Sequence, residues 1–211
     1  MDVKILPLGP VQTNAFLLCA DRHAVLVDAP MGAYNAVGDL LESGGLTLDA
    51  LLLTHGHWDH TTDAYLFQKD GVPLYGHRDD RELYENPRSM ASFGLPGVPM
   101  EPVTIDHWLE EGSTVRFLEE DVEVRHVPGH CPGNILFYFD GQAACFSGDV
   151  IFAGSVGRYD LPGGDFSVLE KSIQERVYTL PEDTQIYPGH GPVTTVREEK
   201  RRNPFVRAVN G

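Results

Sequence analysis

The stretch THGHWDH, residues 54–60, limits what this chain can fold into more than any other. It sets His55, His57, Asp59 and His60 directly after the apolar run DALLLT. A continuous apolar run of that length reads as a buried strand. Residues two apart on extended backbone point the same way, so His55, His57 and Asp59 converge on one side. His60 joins them where the chain turns into a helix. Neutral imidazole and carboxylate are donors that suit zinc, iron or manganese. A polar, hydrogen-bonded turn is the competing structural reading.

Three more stretches have the same build. VPGHCPGN places His130 between two Pro-Gly turns after a strand, FSGDVIF places Asp149 after another, and IYPGHGP places His190 after a third. Each alone is a weak signal, because a histidine beside a glycine is usually a turn residue. Their recurrence at strand ends is what carries weight. Five histidines and two aspartates exceed one tetrahedral zinc and suit two metals sharing one carboxylate. His23, His77, His107 and His126 lack this context and read as surface or strand residues. Cys131 adjoins His130, but on extended backbone its side chain points away from its neighbour's.

Around these sites the pattern alternates between strands and helices. VKILPL, NAFLLCA and AVLVDA read as strands with turns at Gly9–Pro10 and Asp21–Arg22. Residues 33–43 have helical spacing and are stopped by Gly44–Gly45. A helix over residues 60–69, a strand PLYGH and a helix DDRELYE follow. Residues 86–107 read as a long irregular segment exposing Met90, Phe93, Leu95 and Met100, a candidate cover for the site. Then come strands STVRFL, VEVRHV, NILFYFD and AACFSGD, a helix over 166–178, a strand TQIYPG and a basic helix near VREEKRR with a solvated face. Two such half-units suggest an α/β (α+β) fold of two sheets face to face with helices outside, in a single domain over residues 1–211. Periodicity alone leaves an ordinary doubly wound sheet open.

Composition narrows the partners. The formal charge is −15, which repels nucleic acid and anionic membranes. No apolar stretch has the roughly 20 residues of a membrane span, and the N-terminus does not resemble a signal peptide. Cys19, Cys131 and Cys145 are widely spaced and form no paired framework, which suits a reducing, cytoplasmic setting. A monomer or homodimer is expected.

THGHWDH, VPGHCPGN, FSGDVIF and YPGHGP together resemble the successive metal motifs of the metallo-β-lactamase superfamily, in order and over nearly the whole chain. The resemblance implies a four-layer αββα sandwich. It puts His55, His57 and His130 on one metal and Asp59, His60 and His190 on the other, with Asp149 bridging. GSVGRYDLPGGD, residues 154–165, resembles the segment after the bridging aspartate in glyoxalase II and in persulfide dioxygenases, families that take glutathione thiol derivatives. The tail GHGPVTTVREEKRRNPF resembles short bacterial members. Two departures stand out: few residues follow His190, so no separate C-terminal glutathione-binding helical domain is expected, and Gly56 stands where glyoxalase II commonly has a histidine.

The resemblance therefore implies a two-metal hydrolase, with zinc first and iron or manganese as alternatives. Its expected substrate is a small-molecule thioester such as the glutathione conjugate S-lactoylglutathione, attacked by metal-bound hydroxide. Asp59 serves as ligand and as the acceptor that orients the nucleophile. Arg158 is the candidate for a substrate carboxylate, because guanidinium binds carboxylates bidentately. An ion pair with Asp160 or Asp165 is its structural alternative, and Tyr159 is a second candidate contact. Competing functions are a persulfide dioxygenase with one iron on His55, His130 and Asp149, a hydrolase of other esters or lactones, a secreted β-lactamase, a nuclease, and a metal-stabilised binding protein.

Overall fold

The computed structural model describes residues 1–208. The chain forms two compact units: Met1–Leu109 with Phe117–Glu119, and Glu110–Arg116 with Glu120–Gly211. Each has its own six-stranded sheet, which excludes one doubly wound sheet.

In the first unit the strands are β1 (Asp2–Leu8), β2 (Thr13–Ala20), β3 (His23–Val27), β4 (Thr47–Leu52), β5 (Leu74–His77) and β6 (His107–Leu109), hydrogen-bonded in that order. β1, β2 and β3 pair antiparallel, while β3 to β6 run parallel. Parallel neighbours need crossovers. Helix α1 (Ala33–Gly44) supplies the first, and α2 (Trp58–Thr61) with α3 (Ala64–Lys69) the second. β2 is almost wholly buried, as its unbroken apolar run requires. β1 lies at the sheet edge, which tolerates Pro7 inside a strand. α1 ends at Gly45 in the left-handed region (φ 60°), and Leu46 N–H closes the last turn on Leu41 O at 2.9 Å.

The helix expected over 60–69 is two helices. Asp63 N–H donates to Ala29 O at 2.9 Å instead of continuing the ladder. Its carboxylate accepts from Gly32 N–H (2.8 Å) and Tyr34 N–H (3.0 Å), capping α1. Burial pushes the Asp63 carboxyl above its ordinary range despite those bonds. After helix α4 (Arg81–Glu85), residues 86–107 are not wholly irregular: Pro87–Phe93 form 3-10 turns and His107 opens β6. Phe93 and Leu95 are exposed as expected, but Met90 is buried. Val103 N–H donates to Tyr84 O at 2.9 Å, and the Gln68 amide pairs with Thr104 backbone at 2.5 and 3.2 Å.

In the second unit the strands are β7 (Thr114–Phe117, with only Phe117 outside the unit), β8 (Glu120–His126), β9 (Ile135–Phe139), β10 (Ala144–Gly148), a β11–β12 hairpin (Ile151–Phe152, Ser155–Val156), β13 (Gln185–Pro188) and β14 (Thr194–Thr195). The sheet order is β14-β13-β10-β9-β8-β7, with β10 and β13 parallel. Helix α5 (Phe166–Ser172) opens with the Asp165 carboxylate accepting from Ser167 and Val168 N–H, and continues as a widened π turn over Ile173–Val177. Leu169, Ile173 and Val177, four residues apart, pack with Leu136, Cys145 and Ile186. Helix α6 (Val196–Arg202) completes the described chain. The three cysteines are buried and none forms a disulfide. Among the described residues no helix is long and apolar enough to cross a membrane.

Candidate metal centre

The first unit presents His55, His57, Asp59 and His60 where β4 ends. The rings of His55 and His57 lie 4.8 Å apart and those of His55 and His60 4.2 Å apart. His60 Nε2 is 3.6 Å from Asp59 Oδ2. All three imidazoles are buried. His55 and His57 come together as expected, whereas Asp59 lies within α2 beside His60 and not on extended backbone.

The group that orients them escaped the sequence reading. Asp28, fully buried after β3, accepts from Thr54 N–H and Thr54 Oγ1, both at 2.8 Å, and lies 2.7 Å from His60 Nδ1. A carboxylate only accepts, so His60 Nδ1 carries the proton and Nε2 keeps its lone pair. The Thr54 hydroxyl donates its hydrogen bond to Asp28, so its oxygen accepts from His55 Nδ1 at 3.1 Å, with the same result for His55. One carboxylate thus sets two tautomers, the arrangement that readies imidazoles for a metal. The only sequence signal is a lone aspartate after the run AVLV. Thr13 was missed as well; its hydroxyl donates to Asp59 Oδ2 at 2.9 Å.

Gly56 has a steric reason. A Cβ there would come within 2.6 Å of Leu83 Cβ, and Gly56 N–H donates to the buried Asp80 carboxylate at 2.9 Å. The position belongs to packing and offers no donor side chain.

The second unit presents His130, Asp149 and His190. The register of β10 on β13 shifts between Phe146 and Gly148, which sets Gly148 opposite Pro188. Gly148 takes φ 54°, and Gly189 N–H donates to its carbonyl at 2.9 Å. Asp149 and His190 leave neighbouring strand ends, with His190 Nε2 3.5 Å from Asp149 Oδ2. His130 Nε2 lies 3.7 Å from the same oxygen. His130 Nδ1 is 2.6 Å from Arg158 O, and a carbonyl only accepts, so Nε2 is again the donor atom offered. Gly157 makes this possible, because a Cβ there would sit 1.8 Å from Asp149 O and 3.3 Å from His130 Nδ1.

Arg158 reaches the site through its carbonyl. Its guanidinium makes a bidentate pair with Asp160 at 2.9 and 3.0 Å, which holds Asp160 below and Arg158 above their ordinary pKa ranges. Tyr159 is exposed, its ring 4.9 Å from Phe166. The remaining histidines have structural contacts. His23 pairs with Asp49, His77 Nδ1 accepts from Asp79 N–H, His107 stacks on Tyr75, and His126 Nε2 donates to Pro132 O. Cys131 is fully buried.

A model of the metallo-beta-lactamase superfamily matches residues 8–190. The chain belongs to the metallo-β-lactamase superfamily. The fold class expected from the sequence is this superfamily's fold, and it implies divalent metal ions held by a cluster of histidines and aspartates. The donor chemistry fits, since the tautomers of His55, His60 and His130 all offer Nε2, and those of His60 and His130 lie beside carboxylate oxygens. Hydroxyacylglutathione hydrolase GloC of Haemophilus influenzae is 37% identical over 213 residues, covering 99% of each chain. The crystal structure of BLEG-1 B3 metallo-beta-lactamase matches with TM-score 0.90 at 39% identity, over 97% of this chain and 99% of that one. TTHA1623 in a di-iron-bound form matches with TM-score 0.85 at 41% identity, over 97% of this chain and all of that one.

Proposed function

We propose that this superfamily member is a two-metal thioester hydrolase of the glyoxalase II type, acting on S-lactoylglutathione or a close relative. The observation that carries the reading is the full-length similarity to hydroxyacylglutathione hydrolase GloC. His55, His57 and His130 would hold one ion, and Asp59, His60 and His190 the other, with Asp149 shared. Zinc is the first candidate, and the di-iron form of TTHA1623 supports iron as the alternative. The three buried thiols suit the reducing cytoplasm.

When bound by these residues, two divalent ions would supply Lewis-acid polarisation of a carbonyl and a water acidic enough to act at neutral pH. Asp59 accepts a hydrogen bond from the attacking water and aims it, while Thr13 fixes the rotation of the Asp59 carboxylate. Asp28 keeps His55 and His60 in the tautomer that offers Nε2. The departing thiol has an ordinary pKa of about 8.5, so it leaves as thiolate without a strong protein acid. Arg158, exchanging Asp160 for a substrate carboxylate, and Tyr159 beside it are the proposed substrate contacts.

A second reading, β-lactam hydrolysis, is favoured by the match to BLEG-1. The test is hydrolysis of S-lactoylglutathione and of a chromogenic cephalosporin by metal-replete protein, with His57→Ala as control. Thioester turnover that disappears in the variant supports the proposal. Turnover of the cephalosporin alone replaces it, and one iron per chain without either turnover points to the persulfide dioxygenase alternative.

A further inference from the structure

The C-terminal helix carries a buried acid that the proposed chemistry does not use. Glu199 sits in the charged run VREEKRR, where a solvated face was expected, yet it is 4% exposed. Its Oε1 accepts from Thr194 Oγ1 at 2.6 Å. Its Oε2 accepts from Gly154 N–H at 3.0 Å and Asn203 Nδ2 at 2.8 Å. A buried carboxylate with both oxygens engaged is costly unless every bond is kept, so the geometry around it is tightly specified.

The donors belong to two different ligand-bearing loops. Thr194 pairs with Ile186 across β13 and β14, at the base of the turn that presents His190. Gly154 forms the tip of the β11–β12 hairpin, whose Ser155 O also accepts from Asn203 Nδ2 at 3.0 Å. That hairpin leads into Gly157, whose N–H donates to Val150 O at 3.2 Å, and into Arg158, whose carbonyl holds His130 Nδ1. One side chain on α6 thus ties the turn of His190 to the segment that sets the ring of His130.

We propose that Glu199 is a positioning residue that holds the His130 and His190 loops in register for metal binding. It is not one of the proposed ligands or substrate contacts. The inference rests on the proposal that His130, Asp149 and His190 are ligands. Groups orienting ligands in this indirect way are worth about 10- to 100-fold in metal affinity. Glu199→Ala therefore weakens zinc binding by that factor. Glu199→Gln restores most of it, because its amide oxygen accepts from Gly154 and Asn203 while its nitrogen donates to Thr194 Oγ1. Glu198→Ala, a substitution of the exposed neighbour paired with Arg202, leaves it unchanged.

The experiment is competition for zinc between each variant and a chromophoric chelator, with thermal melts alongside. Weak binding in Glu199→Ala with rescue in Glu199→Gln is the expected result. Wild-type zinc affinity in Glu199→Ala, even with a lowered Tm, overturns the proposal and leaves the metal assignment intact. Failure of the wild-type protein to bind zinc or iron overturns both. If Glu199→Ala does not fold, Thr194→Val decides, since it removes one contact and keeps the shape; undiminished zinc affinity there overturns the proposal.

Discussion

Replacing Asp28 by asparagine separates the folding role of this carboxylate from its role in setting tautomers. The native group accepts three hydrogen bonds in a fully buried site: Thr54 N–H, Thr54 Oγ1–H and His60 Nδ1–H. Asparagine has one acceptor oxygen. If that oxygen faces Thr54 N–H, the amide nitrogen donates toward Thr54 Oγ1 and His60 Nδ1. His60 must then accept at Nδ1 and carry its proton on Nε2, the atom a metal needs. If the amide is reversed, a buried backbone N–H faces another donor, at about 1–3 kcal/mol. The first orientation is the cheaper. Asp28→Asn should therefore fold, with a Tm lowered by no more than roughly 10 °C for a chain of this size, while losing about 10- to 100-fold in metal affinity. Asp28→Ala leaves all three donors without the acceptor and costs about 3–9 kcal/mol, a large part of a total stability of about 5–15 kcal/mol. Thermal melts of chelator-treated protein and zinc competition read the two effects separately. Zinc affinity in Asp28→Asn equal to wild type would refute the tautomer argument.

Four further outcomes are expected. Gly157→Ala forces a Cβ to within 1.8 Å of Asp149 O, so its backbone must move; limited proteolysis and metal analysis should show a loosened 149–158 segment that binds metal poorly. Arg158→Ala should raise KM for a carboxylate-bearing thioester about tenfold with kcat kept, whereas unchanged steady-state kinetics would leave the Asp160 pair as the residue's whole role. Burial raises the Asp63 carboxyl, so its stabilising contribution is present below the unfolded carboxyl range and is lost as pH rises through the higher folded value. Asp63→Asn should thus gain stability relative to wild type between acid and neutral pH in urea titrations, and a pH-independent difference would contradict the assignment. Chelation should lower Tm by mass action; a melt indifferent to chelator would speak against resident metal.

The candidate donors were legible because they cluster on short stretches flanked by glycine and proline turn residues. His55, His57, Asp59 and His60 announce themselves within one motif, and the strand before them is an unmistakable apolar run. The groups that orient these donors were not legible. Asp28 meets Thr54 across 26 positions, and Thr13 meets Asp59 across 46. In one dimension each is a lone polar residue beside a strand, with nothing to distinguish it from a turn. Glu199 was hidden differently, by exposed charges around it that make the helix look solvated throughout. The break between α2 and α3 was invisible because Thr62 and Asp63 are compatible with a helix. A backbone bond to Ala29, remote in sequence, decides it. Gly56 and Gly157 could be seen but not explained until Leu83 and Asp149 were found beside them.

The excursion between α4 and β6 is clasped at its base by the Tyr84–Val103 bond and the Gln68–Thr104 amide pair. None of the proposed ligands lies within it. A span closed in this way behaves as a cassette, because doubling the length of a closed loop costs only about 0.6 kcal/mol. Chains with the same donors could therefore trade this segment for shorter or longer ones while the strand ends that carry the proposed ligands stay put.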